Sequence, residues 1–88
     1  MSEGRAQLST EQQIRDLIVA NLKWKGSPKD LTDDYPLIEH HVIDSLGMLE
    51  LIGLLETEFG IAVDDEDLVP TNFASIEAIA AFVESKRP

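Results

Sequence analysis

The sequence predicts a small all-α domain, a bundle of four helices in which three are longer and the third is short. In three segments, apolar residues recur at intervals of three or four, which is the spacing of a helix with one buried face. One apolar run, Ile61–Val63, resembles a strand, but no segment of similar character pairs with it. A hydrophobic content of 43% in 88 residues is enough for one packed core. We therefore predict a flexible lead-in at residues 1–9 and one domain at residues 10–88.

The first helix is predicted to run from Glu11 to Trp24. Its apolar residues follow helical spacing: Ile14, Leu17, Ile18 and Leu22. Thr10 followed three residues later by Gln13 fits a capping box at its start. The Gly-Ser-Pro run at residues 26–28 is expected to end it.

A long connection from Lys29 to Asp44 separates the first two helices. It contains Pro36 and no sustained helical period, and loops of this length in small domains are often functional. Its scattered apolar residues are expected to pin it across the bundle: Leu31, Tyr35, Leu37, Ile38, Val42 and Ile43.

The second helix is predicted from Ser45 to Phe59, with Gly60 as its stop. At about 100° per residue, the core face comprises Met48, Leu51, Ile52, Leu55 and Phe59. The opposite side carries Leu46 and Leu49 among Glu50, Gly53 and Thr57. This helix therefore has more apolar surface than one buried face can use, which predicts a docking surface for another protein.

Two further helices complete the prediction. Acidic residues at 64–67 suit the N-terminus of a short third helix, which Pro70 is expected to end. Ser75 is the predicted cap of the last helix, which ends before Pro88. The apolar face of the last helix contains Ile76, Ile79, Ala80 and Val83.

The charge and composition exclude several classes of function. Seventeen acidic residues against seven basic ones give a formal net charge of −10, which disfavours nucleic acid and anionic membranes and favours partners with basic patches. The absence of cysteine excludes disulfides, thiolate catalysis and cysteine-bound metals. No segment approaches the roughly 20 apolar residues of a membrane span, and the polar N-terminus does not resemble a signal peptide. We expect a cytoplasmic monomer.

No pattern in the chain predicts catalysis or metal binding. There is no nucleophile elbow and no phosphate-cradling loop, so the chain is not expected to be an enzyme. His40 and His41 are expected to be solvated loop residues, and the acids at 64–67 a helix start rather than a calcium loop. Taken alone, Asp44-Ser45 fits an N-cap pair or a phosphorylation site.

Nearly the whole chain, from about Leu8 to Lys86, resembles the acyl carrier protein family, which includes peptidyl and aminoacyl carriers. The resemblance rests on short motifs in a fixed order: Pro36-Leu37, Ile43-Asp44-Ser45-Leu46-Gly47, Leu49-Glu50-Leu51, Leu55-Glu56, Phe59-Gly60-Ile61, Asp65-Glu66-Asp67-Leu68, Asn72-Phe73, and Ser75-Ile76 with Ile79 and Phe82. It implies a non-enzymatic carrier that shuttles acyl or aminoacyl groups as thioesters.

The resemblance also implies roles for particular residues. By position, Ser45 would receive 4′-phosphopantetheine from coenzyme A, with Asp44 beside it. Partners would dock through Leu46, Leu49 and Gly53 and through the acids Asp44, Glu50 and Glu56. The implied partners are a phosphopantetheinyl transferase, a loading ligase or adenylation enzyme, and a downstream acyltransferase or synthase.

Two residues depart from the pattern of fatty-acid carriers. Gly53 stands where a larger apolar residue is usual, and Thr57 interrupts the acidic run. The Ile-Asp-Ser-Leu-Gly motif and the Asn-Phe-Ala-Ser-Ile segment at residues 72–76 resemble instead discrete carriers of polyketide or nonribosomal-peptide metabolism or of amino-acid loading. Two alternatives stay open: a helical adaptor that is never modified, and a domain cut from a larger synthase.

Overall fold

Four α-helices and two short 3₁₀ turns form the computed structural model, which describes residues 9–87. The helices are α1 (Thr10–Asn21), α2 (Ser45–Phe59), α3 (Pro70–Phe73) and α4 (Ile76–Lys86), and the turns are Pro28–Asp30 and Asp65–Asp67. Residues 9–87 contain no strand, which confirms the predicted all-α class with three longer helices and one short one. Apart from Ser9, the predicted lead-in at residues 1–9 lies outside the described residues, as does Pro88.

Helix α1 begins and ends differently from the prediction. Ser9 is the N-cap, and its Oγ accepts the N–H of Gln12 at 3.0 Å, so the predicted Thr10 cap is wrong. Thr10 is instead the first helical residue, and its hydroxyl donates to Glu84 on α4. The helix stops at Asn21, three residues before the predicted Trp24, because Leu22 takes an extended backbone conformation.

Helix α2 has the predicted bounds, and both of its ends have a clear local cause. At its start, Asp44 Oδ1 accepts the N–H of Gly47 at 2.7 Å. At its end, Gly60 takes the left-handed conformation with φ of 66°, as helix-stopping glycines commonly do. On the predicted core face, Leu51 and Leu55 are fully buried, whereas Met48, Ile52 and Phe59 are partly buried.

Alanine substitutions at Gly60, which ends α2, and at Gly53, which lies inside it, check how each glycine affects the stability of the fold. Gly60→Ala is expected to lower the free energy of unfolding by about 1 kcal/mol, because a Cβ is unfavourable at positive φ. Gly53→Ala is expected to raise it by about 0.5–1 kcal/mol, since this glycine is inside α2 and its added Cβ would meet no atom within 4 Å. Urea unfolding of both variants measures the effect, and two shifts of the same sign would contradict this account.

The third helix starts where the sequence predicted that it would end. The acids at 65–67 form a 3₁₀ turn, in which the Asp67 carboxylate accepts the N–H of Asp64 at 2.9 Å. Pro70 is the first residue of α3, a position that suits its fixed φ and its missing N–H. Ser75 caps α4 as predicted, with Oγ accepting the N–H of Ala78 at 3.2 Å.

The long connection between α1 and α2 packs into the core, as predicted. Leu31 and Leu37 are fully buried and Val42 and Ile43 nearly so. Arg15 on α1 holds this connection by donating from Nε to the Leu31 carbonyl at 2.7 Å. The connection therefore fixes where α2 begins, which sets the position of Ser45.

Residues 9–87 contain neither a candidate membrane span nor a cluster of metal-binding side chains. No helix in this part of the chain combines the length and the apolar character that crossing a membrane requires. In the same residues, no three histidine, cysteine, aspartate or glutamate side chains are grouped closely enough to hold a metal ion.

Candidate functional site

Ser45 is the first residue of α2, and its side chain is exposed. The preceding Asp44 caps the helix, so the cap does not use the Ser45 hydroxyl. This hydroxyl makes no hydrogen bond to any residue from 9 to 87. It is therefore accessible to a reagent from solvent and is not needed to hold the helix start.

Asp44 is ionised and held in place from two sides. Its pKa lies below the ordinary value of 3.8, mainly because Lys23 donates a hydrogen bond to it and also because the Gly47 N–H does so. Lys23 forms an ion pair with Oδ2, while Oδ1 serves the helix cap. The carboxylate next to Ser45 thus links the start of α2 to Lys23, which follows α1.

A cavity of about 610 Å³ opens beside Ser45, between the long connection, α2 and the start of α3. Most of its lining is apolar, comprising Ile38, Ile43, Met48, Leu68, Val69 and Pro70, and His41, Asp44 and Ser45 complete it. Leu68 and Val69 are 44% and 42% exposed, which is high for large aliphatic residues. The site therefore offers an apolar surface directly next to a free hydroxyl.

Leu68 and Val69 were not anticipated as site residues. They lie more than 20 residues after Ser45, and the acidic run before them does not indicate that they line a site beside Ser45. The only sequence signal is their place just before Pro70, since a helix that begins at this proline leaves both residues outside it, between the 3₁₀ turn and α3.

The two adjacent histidines have different surroundings. His40 contacts Tyr35 edge-on, with 5.0 Å between ring centroids. His41 lines the cavity beside Ser45 and has a positive φ of 62°, which is uncommon for a residue other than glycine. The two side chains do not converge with Asp44 on a metal site.

Four of the predicted docking residues share one face of α2: Leu46, Leu49, Glu50 and Gly53. They are all exposed, and the two leucines are 78% and 68% exposed. We call this set the α2 surface. Their spacing of three, four and seven residues from Leu46 places them on the same side of the helix.

Glu56, another predicted docking residue, has an internal contact. Its carboxylate accepts the N–H of Val63 at 2.9 Å, and its side chain is partly buried. It therefore fastens the segment after α2 to the helix, a role that the sequence did not indicate.

A four-helix bundle that presents a free serine at the start of a helix, next to exposed leucines, has the features of a carrier protein. The family model described as "Phosphopantetheine attachment site" matches residues 12–83, and the chain belongs to this family. Its members carry 4′-phosphopantetheine covalently on a serine, so this is the cofactor of the chain. The predicted resemblance to acyl carrier proteins is thereby confirmed.

Individual relatives agree with this family. The chain is 29% identical over 80 residues to an acyl carrier protein of Nitratidesulfovibrio vulgaris, an alignment that covers 91% of this chain and 100% of that protein. It is 27% identical over 59 residues to the probable acyl carrier protein PigG of Serratia sp., covering 67% of this chain and 68% of that protein. The solved structure of apo KstB-PCP matches with a TM-score of 0.69 and 40% identity, covering 86% of each chain.

Proposed function

We propose that Ser45 carries the 4′-phosphopantetheine arm and that the chain shuttles acyl or aminoacyl groups between partner enzymes without catalysing a reaction itself. The observation that carries this assignment is the free, exposed hydroxyl of Ser45 at the first residue of α2, where Asp44 has taken over the capping. Among residues 9–87, the two serines that directly precede α-helices, Ser9 and Ser75, both use their hydroxyls as caps.

The residues around Ser45 fit the arm. The N-terminus of a helix favours negative charge, which suits the phosphate of a modified serine. The apolar cavity beside the hydroxyl can receive a weakly polar chain. When bound, the arm supplies a terminal thiol, which a chain without cysteine lacks, and this thiol holds cargo as a thioester.

The attachment is a phosphoryl transfer in which Ser45 is the acceptor. A bond forms between Ser45 Oγ and the phosphorus of coenzyme A that bears the pantetheine. The bond from this phosphorus to the oxygen bridging to the adenosine bisphosphate breaks, and this group leaves. The serine proton passes to a base of the transferase, because no base of this chain bonds to the hydroxyl in residues 9–87. This chain's own part is to hold Oγ at a fixed, exposed helix start.

The α2 surface is the proposed docking site. Leu46 and Leu49 offer apolar contact area, and Glu50 together with the net charge of −10 attracts basic partners. The proposed partners are a phosphopantetheinyl transferase, a loading ligase or adenylation enzyme, and a downstream acyltransferase or synthase. Because the Glu56 carboxylate already accepts a hydrogen bond from the Val63 N–H, we propose that it contributes less to docking than Glu50 does.

The pathway is proposed to be a specialised one of the polyketide or nonribosomal-peptide type, or an amino-acid loading system. The likeness to PigG and the 40% identity to KstB-PCP support this choice. The glycine at position 53 supports it as well, because it flattens the docking helix relative to the pattern of fatty-acid carriers. The expected cytoplasmic location is part of this proposal.

Mass spectrometry tests the proposal. The chain is incubated with coenzyme A and a broad-specificity phosphopantetheinyl transferase, and its intact mass is measured before the peptides are fragmented. The expected result is the addition of one phosphopantetheine, located on Ser45. A chain that stays unmodified would overturn the proposal and favour the adaptor, which would bind partners through Leu46 and Leu49 alone.

A further inference from the structure

Lys23 forms an ion pair with the residue directly before Ser45. It follows the end of α1, and its Nζ donates to Asp44 Oδ2. The other carboxylate oxygen of Asp44 accepts the N–H of Gly47 at 2.7 Å. Both oxygens of this predicted docking acid are therefore engaged within the chain.

Lys23 lies beside residues of the α2 surface. Lys23 and Asp44 line a small cavity of about 200 Å³ together with Leu46 and Glu50 of the α2 surface. Ser45 lines the other, larger cavity of about 610 Å³, whose lining does not include Lys23. Lys23 thus lies next to the proposed docking surface and does not line the cavity beside Ser45.

The exposure of this ion pair indicates that it is not primarily a stabilising feature. The Lys23 side chain is 67% exposed and that of Asp44 is 34% exposed, and ion pairs in such positions contribute little to stability. The hydrogen bond from the Gly47 N–H goes to Oδ1 of Asp44, the oxygen that Lys23 does not contact. The main effect of the lysine is therefore on what else can contact the carboxylate.

We propose that Lys23 determines partner specificity by competing with the basic side chains of partner enzymes for the Asp44 carboxylate. This inference rests on the proposed docking role of the α2 surface. A partner that contacts Asp44 through arginine or lysine has to displace Lys23 and then lies close to its like charge. A partner that relies on Leu46 and Leu49 does neither. The lysine therefore favours partners that bind through apolar contacts.

A titration with a small cationic peptide tests the competition without any enzyme. Tri-arginine is added to the ¹⁵N-labelled chain, and the dissociation constant is read from the Gly47 amide, whose N–H donates to Asp44. In Lys23→Met this constant is expected to fall about 5-fold, as loss of an exposed ion pair allows. Lys23→Arg should bind as the wild type does. Lys29→Met removes the same charge from the Pro28–Asp30 turn and serves as the matched control. Equal constants for the two methionine variants would overturn the proposal.

Enzyme kinetics test the same competition during modification. With coenzyme A and the broad-specificity transferase, Lys23→Met is expected to lower the KM for the carrier about 5-fold and leave kcat unchanged. The difference should vanish in about 1 M salt, where the Debye length is about 3 Å. A higher KM at low salt would overturn the competition. If the transferase leaves the wild-type chain bare, the proposed function fails, while the tri-arginine titration still decides the role of Lys23.

Discussion

Ser45→Ala is expected to accept no phosphopantetheine and yet fold as stably as the wild type. The substitution removes the only atom that we propose as the acceptor, so the loss of modification is complete. Its free energy of unfolding should change by less than about 0.5 kcal/mol, because the hydroxyl is exposed and Asp44 supplies the helix cap. Intact mass after incubation with coenzyme A and transferase measures the first effect, and urea unfolding measures the second.

Ser75→Ala is the matched control. Like Ser45, Ser75 lies at the start of a helix, but its hydroxyl caps that helix, α4. It should be modified like the wild type and lose about 1 kcal/mol of stability. The two serines are thus expected to give opposite results in both measurements. Modification of Ser45→Ala would show that another residue is the acceptor.

Leu46→Glu and Leu49→Glu are expected to reduce kcat/KM for the transferase and the loading enzyme by about 10- to 100-fold. Loss of an apolar anchor at an interface costs about 1.4–2.8 kcal/mol, which corresponds to this range. Because both leucines are largely exposed in the free chain, the Tm of each variant should stay within a few degrees of that of the wild type. Steady-state kinetics with increasing carrier concentration, together with thermal melts, check the two expectations.

Ala81→Glu controls for the added negative charge. Ala81 is exposed on α4, outside the α2 surface, so its substitution should leave kcat/KM unchanged. If the leucine variants react as fast as the wild type with both enzymes, the α2 surface is not the docking site. If Ala81→Glu slows the reactions equally, net charge rather than apolar contact governs docking.

Features with a local cause could be predicted from the sequence. The bounds of α2 followed from an aspartate-serine start, a helical period and a stop glycine. The start of α4 followed in the same way from Ser75. The end of α1 was misplaced because Leu22 continues the helical apolar spacing, although its backbone is extended. The predicted start of α3 is wrong because a proline such as Pro70 is as well suited to the first turn of a helix as to a helix end.

In the candidate site, too, the features with a local cause could be predicted and the contacts between separate segments could not. Ser45, Asp44 and the exposed leucines could be found from one continuous segment. Other features depend on how separate segments pack together. They are the ion pair of Lys23 with Asp44, the hydrogen bond from the Val63 N–H to Glu56, and the exposure of Leu68 and Val69. Such contacts have no periodic signal in a single sequence, so only the structure reveals them.

Trp24 gives this protein an intrinsic fluorescence probe. It is the single tryptophan of the chain, and its ring meets Tyr35 edge-on with 5.1 Å between centroids. Its indole N–H donates to the Ser27 carbonyl at 3.0 Å. Because Trp24 comes directly after Lys23, its fluorescence emission reports on the junction that leads from α1 toward Asp44. Changes at this junction during partner binding can thus be followed in the unlabelled protein.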